Sequence, residues 1–214
     1  MTKLIGLFGG TFDPVHYGHL RPALDVMQAA DLDEVRFIPN RLPPHRDAPP
    51  MGDAQHPETV QLAIADTAGF LLDQRELQRE GPSYMVDTLI SLKQDFPESS
   101  LCLIVGMDAF SGLPQWHRWE ALFELCHLIV TSRPGSKLPD FATKADISLK
   151  ISDDPKCLQQ RPVGQILLQS VTQLDISASL IRQYLSNRQS TQFLLPEAVR
   201  EKLEQAYVRT KPKI

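Results

Sequence analysis

Six short runs, LIGLF (4–8), VRFI (35–38), FLLD (70–73), LCLIV (101–105), HLIVT (127–131) and QILLQ (165–169), recur along the chain with room for a helix between most of them. Several are apolar at consecutive positions, the pattern of a strand covered on both faces in a parallel sheet. Between the runs the apolar period lengthens. Leu20, Ala23, Leu24, Met27 and Ala30 make one helical stripe. Pro57 stands at a first helical position ahead of Val60, Ala63, Ile64 and Thr67. Ser83 is placed to cap a helix that carries Val86, Leu89 and Ile90 inward. Ile176, Leu180, Ile181, Tyr184 and Leu185 form a further stripe, and Pro196 opens a last one with Val199, Leu203, Ala206 and Tyr207. Strand alternating with helix predicts βαβ units, right-handed crossovers and an α/β fold: a doubly wound, mostly parallel sheet ending in a C-terminal helical segment.

A chain of 214 residues with 42% apolar content can bury a full core. No repeat or low-complexity tract divides it, so residues 1–214 are expected to form a single domain. Two segments, the proline-rich 40–56 and 134–163, hold neither period and read as surface loops or insertions. The formal charge of −4 leaves no basic surplus for clamping a nucleic-acid backbone. The longest apolar runs are strand-sized and far too short to span a bilayer. The start, MTKLIGLF, lacks a charged region followed by a long apolar block, so no export signal is expected. Cys102, Cys126 and Cys157 form no C-x-x-C pair and read as buried thiols in a reducing compartment. The expectation is a cytoplasmic protein with neither nucleic acid nor membrane as partner; a homo-oligomer stays open.

In an open α/β sheet, ligands bind beyond the carboxyl ends of the strands. The segments after the six runs are GGTFDPVHYGH, PNRLPPHR, a stretch leading to REGPSY, then GMD, TSRPG and DISASLIR. Glycine, histidine, arginine, serine and aspartate gather at one sheet edge, as a polar cleft requires. In the first segment, Gly9 and Gly10 remove side chains where a ligand must approach the backbone closely. Pro22 is tolerated only in a first turn, which starts the helix near Tyr17 to His19. His16 and His19 then flank a helix N-terminus, where free N–H groups and the macrodipole favour an anion. That dipole is worth only about 0.3–1 kcal/mol, so imidazole donors must supply more. A zinc pair prefers H-E-x-x-H and a third ligand, neither of which is present. The segment is also neither a Walker loop nor G-x-G-x-x-G.

DISASLIR supplies a second anion-binding helix start. Ser177 is a good N-cap, Ser179 falls in the first turn, and Arg182 can reach back over the same end. Hydroxyls, N–H groups and a guanidinium together make a polyphosphate clamp.

GGTFDPVHYGHL with ISASLIR resembles the paired motifs of the Rossmann-like nucleotidylyltransferases. PPHR, REGPSY, GMD, LPQWHRW and HLIVTSRPG are similar to segments of bacterial nicotinate-nucleotide adenylyltransferases, over about residues 4 to 186. The resemblance implies transfer of the adenylyl group of ATP to nicotinate mononucleotide, with magnesium, giving deamido-NAD and pyrophosphate. It implies that His16, His19 and Arg182 handle the reacting phosphates. Gly9, Gly10, Thr11, Phe12, Gly18, Gly106, Asp108, Ser177 and Ser179 would hold ATP. His45, Arg46, Ser83, Tyr84, Met85, Trp116 and Arg133 would hold the mononucleotide, with Trp116 stacked on the pyridine ring and backbone N–H groups at 83–85 meeting its carboxylate.

The chain departs from the family in places. Met85 stands where the family has threonine, His56 and Thr59 where arginine and methionine are common, and Gln173 lies where an aromatic is frequent. Trp116 and Trp119, three apart, could also be core residues of one helix. Three other functions compete: adenylyl transfer to nicotinamide mononucleotide or phosphopantetheine, nucleotide sensing without turnover, and a tRNA-charging fragment. The last would need a lysine-rich phosphate loop and a basic surface, and the sequence has neither.

Overall fold

The computed structural model describes residues 2–40, 56–132 and 137–209. Seven strands and ten α-helices follow one another among them. The first half runs β1 (Leu4–Gly10), α1 (Tyr17–Ala29), β2 (Glu34–Pro39), α2 (His56–Ile64), β3 (Phe70–Leu72), α3 (Arg75–Gln78), α4 (Met85–Asp95) and β4 (Ser100–Gly106). The second runs α5 (Met107–Ser111), α6 (Leu122–Leu125), β5 (His127–Ser132), α7 (Ala145–Ser148), β6 (Ile151–Ser152), α8 (Cys157–Gln160), β7 (Ile166–Ser170), α9 (Ala178–Ser186) and α10 (Glu197–Arg209). The strands form one sheet in the order β3-β2-β1-β4-β5-β7-β6, and every pairing is parallel. This is the doubly wound, Rossmann-like arrangement that the alternation predicts.

The two-residue period of a strand divides the core into two layers. On β4, Cys102 and Ile104 join a cluster with Ala23 and Val26 of α1, Val60 of α2, Ile181 of α9 and Val199 and Leu203 of α10. Leu101, Leu103 and Val105 face the other way, onto Leu89 and Leu92 of α4 and Phe110 of α5. Both faces of β4 are therefore sealed, which is why its run is apolar without alternation.

Three expectations need correction. Ile90 is exposed, and α4 turns Thr88 and Leu92 inward beside Val86 and Leu89. Ser83 does not cap α4: Tyr84 holds that position with no side-chain cap bond. The span 137–163 is no plain surface loop, because β6 pairs with β7 at the sheet edge and Ala142, Ile147, Cys157 and Leu158 are buried. Its elements are two to four residues long, too short for any period to show.

The order of strands reverses between β1 and β4, whose neighbours β2 and β5 run outward in opposite directions. Crossovers leave on opposite faces there and open a crevice at the strand ends. Gly9 and Gly10 end one wall of it, Gly106 the other.

Candidate active site

The chain leaves β1 through a tight turn. Phe12 takes φ +45°, which puts its ring inside, edge-on to His19 at 5.3 Å and near Phe8 at 5.8 Å. His16 follows as the extended N-cap of α1, which starts within the expected range at Tyr17 but carries Pro22 in its second turn rather than its first. Its ring lies 3.8 Å from that of His19, and its backbone N–H donates to His19 Nδ1 at 3.3 Å. That bond places the proton of neutral His19 on Nε2, ready to donate outward. Burial pushes the His16 imidazole down to about 4, and burial with the neighbouring His16 pushes His19 down to about 3. Both rings are thus neutral at physiological pH in the free protein. A charged imidazole, donating through both nitrogens, would require a bound anion to restore it.

The second helix start comes to the first. A β-carbon on Gly18 would stand 2.9 Å from the His16 ring and 3.0 Å from the Ile176 carbonyl oxygen, so only glycine lets α1 approach the segment ahead of α9 this closely. Ser177 caps α9 by accepting from the Leu180 N–H at 3.2 Å. Arg182 leans back along the helix, donates to Ser179 Oγ at 3.3 Å and to the Asp13 carbonyl, and lies 3.5 Å from the Asp13 carboxylate. On the far side of α1, Asp25 accepts from the Thr172 N–H at 2.6 Å and holds the same approach segment. His16, Gly18, His19, Ser177, Ser179 and Arg182 therefore form one cluster. Ser177 and Ser179 face solvent.

Beside the cluster, a cavity of about 630 Å³ opens between the ends of β1 and β4. Gly9, Thr11 and Gly106 line it together with Ser83, Tyr84, Met85 and Trp116. A β-carbon on Gly9 would stand 3.0 Å from the Met85 methyl group, so the two residues meet across the cavity wall. The two tryptophans separate: Trp116 ends a one-turn helix at 113–115 and lines the cavity, while Trp119 packs edge-on to Phe123 and Phe141. Gly10 and Phe12 shape the turn behind the cavity without lining it. Asp108 sits exposed in the first turn of α5 and crowds Gly106, where a β-carbon would meet its Oδ1 at 2.6 Å. His45, Arg46 and Arg133 lie outside the described residues, as does the side chain of His56. Thr59 is buried and Gln173 exposed.

The cavity also holds residues that sequence reasoning passed over. Asn40 and Glu76 line it, and each carries a fully buried oxygen, Oδ1 and Oε2, with no hydrogen-bond partner among the described residues. His117 stacks on Tyr84 at 4.3 Å and lines it too. Asn40 could have been found, as the polar residue directly after β2. Glu76 gave no signal, since its helix is a single turn.

Residues 7–184 match the cytidylyltransferase-like family model. A protein of Halorhodospira halophila is 50% identical over 95% of this chain and 94% of its own, and one of Methylococcus capsulatus is 48% identical over 92% and 95%. Both are named "Probable nicotinate-nucleotide adenylyltransferase". The solved nicotinic acid mononucleotide adenylyltransferase of Plasmodium falciparum, complexed with NaAD, superposes with a TM-score of 0.69 at 16% identity, covering 96% of this chain and 98% of that one. That likeness speaks for the fold. With two helix starts converging beside a crevice at the reversal of the sheet, the chain belongs to the cytidylyltransferase-like family and, within it, to the nicotinate-nucleotide adenylyltransferases.

Proposed function

We propose that this protein, acting as one unit over residues 1–214 in the cytoplasm, transfers the adenylyl group of ATP to nicotinate mononucleotide. The products are deamido-NAD and pyrophosphate, a step of NAD biosynthesis. The observation that carries the reading is the convergence of the α1 and α9 N-termini, bridged by Arg182, beside a cavity of nucleotide size.

The reaction needs no covalent enzyme intermediate. The mononucleotide phosphate attacks the α-phosphorus in line, the bond to the β-phosphate oxygen breaks, and pyrophosphate departs. The protein's work is positioning and stabilising charge that spreads onto phosphate oxygens. His19 donates through Nε2–H, and His16 sits beside it at the same helix start. Arg182, Ser177 and Ser179 take the leaving pyrophosphate. Gly9, Gly10, Thr11, Phe12 and Gly18 form the turn that lets the nucleotide lie against the backbone. Gly106 and Asp108 meet the adenosine side. In the cavity, Trp116 stacks on the pyridine ring, while the backbone at Ser83, Tyr84 and Met85 receives its carboxylate. The start of α4 carries no side-chain cap, so its first N–H groups suit an anion. His45, Arg46 and Arg133 are assigned to the mononucleotide phosphate region.

Magnesium is treated as part of the ATP substrate, where it neutralises triphosphate charge. Among the described residues, no three His, Cys, Asp or Glu side chains converge to cage it. No helix among those residues is long and apolar enough to cross a membrane. The test is direct: purified protein with ATP, magnesium and nicotinate mononucleotide should release pyrophosphate and form deamido-NAD in equal amounts. No product across varied conditions would overturn the reading.

A further inference from the structure

A carboxyl group at the pyridine end of the cavity has no part in the scheme above. Glu76, on α3, is only 1% exposed. Its Oε1 accepts from the Thr88 hydroxyl at 2.7 Å, and the Ser83 hydroxyl also bonds to the carboxyl. Its Oε2 is sealed from solvent without a partner among the described residues, although Glu76 lines the same cavity as Ser83, Tyr84 and Met85. Glu76 thus ties down both flanks of the α4 start, where the ring carboxylate is assigned. Placing a second carboxylate beside a buried one is costly, because the two charges repel with little water between them.

The charged and titratable neighbours among the described residues can be named. Arg79 donates to Thr88 Oγ1 at 3.1 Å and to the Tyr84 carbonyl at 3.4 Å. Asp73, at the end of β3, is engaged by Arg75 at 2.9 Å and by Arg36 at 3.4 Å. Tyr84 and His117 are stacked on the cavity wall. Burial raises the Glu76 carboxyl above the usual range; the Thr88 and Ser83 hydroxyls and Arg79 oppose it, while Asp73 adds to it, and the net direction is upward.

We propose that Glu76 sets the cavity's choice between an acidic and an amide pyridine ring. The ring carboxylate enters only with one proton on the Glu76 carboxyl, which removes the repulsion between two ionised groups. An amide, being neutral, enters against the ionised carboxyl. The proton comes from solvent and returns there when product leaves. The proposal rests on the adenylyl-transfer reading and deepens it.

The experiment measures kcat/KM for nicotinate and nicotinamide mononucleotides, with ATP and magnesium, from about pH 6 to about pH 9. Taking the ratio cancels everything the substrates share, including their phosphate and the histidine cluster. The ring carboxylate stays ionised throughout, and the amide does not titrate. The sign follows from linkage: acid binding needs a protonated Glu76, so the acid-to-amide ratio should fall as pH rises, by at least about tenfold across the range. Glu76→Gln keeps an acceptor for Thr88 but cannot titrate, and its ratio should be flat. A flat ratio in the unaltered protein, or the same slope in Glu76→Gln, overturns the proposal. Calorimetry of the unaltered protein in buffers of different ionisation enthalpy tests the same point without a variant. Binding the acid should take up close to one more proton than binding the amide, and equal uptake sinks the idea. Lack of turnover with either substrate would count against adenylyl transfer, whereas good turnover at a constant ratio counts against Glu76 alone.

Discussion

The end of the crevice assigned to phosphate and the end assigned to the pyridine ring, here the phosphate end and the pyridine end, share one sheet edge but are built in opposite ways. At the phosphate end, donors dominate: two helix starts, two buried or half-buried imidazoles, two serines that face water, and Arg182. Its parts come from residues 9–19 and 176–182, and long-range contacts hold them together, chiefly Gly18 against the Ile176 carbonyl and the Thr172 N–H donated to the Asp25 carboxylate. At the pyridine end, Leu103, Val105, Tyr84 and Trp116 supply apolar and aromatic wall, and the polar atoms include two buried oxygens without partners among the described residues. The first end suits charge that develops during reaction. The second suits recognition of a flat ring before reaction. Substitutions at the two ends should therefore separate, with turnover falling at one and substrate affinity at the other.

The sharpest way to break this division is His19→Ala. The ring is half-buried and its Nε2–H is the donor set by the His16 bond, so its loss should lower kcat by about 10²–10³-fold, the usual scale for one charge-stabilising donor. KM for the mononucleotide should change little, and the melting temperature should confirm a folded protein. Because both rings sit near 3 to 4 when the site is empty, kcat/KM for ATP should show no rise or fall centred on the ordinary histidine range. An unaltered kcat removes His19 from the mechanism.

Gly18→Ala tests the joint rather than a donor. Its methyl group would press on the His16 ring and, at 3.0 Å, on a backbone carbonyl that cannot swing away. The helix starts must then part by a few tenths of an ångström. Small misplacements of this kind cost up to about 10²-fold, and we expect roughly 10-fold or more in kcat/KM for ATP. Mononucleotide KM should stay within about twofold. Equal losses for both substrates would mean that the two ends are mechanically one.

What could be read in advance follows the same divide. The sheet was legible because six runs stand out as strand-sized apolar blocks, and the phosphate end because its residues lie in two unbroken motifs. At the pyridine end, identity depends on contacts between distant short elements. Ser83 has the chemistry of an N-cap, yet its hydroxyl goes to Glu76, a partner that only the folding of α3 over α4 supplies. Glu76 itself sits in a four-residue helix. The neutral state of His16 and His19 was also hidden, since it arises from the burial of both rings, with Phe8 and Phe12 packed on His19, and from the closeness of one imidazole to the other. The buried edge around Ile147 and Cys157 escaped for want of length.

The mildest effect expected is at Trp116, and it sharpens the comparison from the other side. A stacked aromatic pair contributes about 0.5–1.5 kcal/mol beyond its buried area, or roughly threefold to tenfold in affinity. Trp116→Ala should raise the mononucleotide KM by about that factor or somewhat more, because the cavity wall is lost as well. Neither kcat at saturation nor the KM for ATP should move, since the phosphate-handling groups among the described residues stand at the α1 and α9 starts. Trp116→Phe keeps a stacking face and should recover most of the affinity. Trp119→Ala offers the contrast: its ring is packed against Phe123 and Phe141 rather than turned to the cavity, so it should lower the melting temperature instead. If Trp116→Ala lowers kcat and leaves KM alone, the pyridine ring contributes to the reacting geometry and the division between the two ends does not hold.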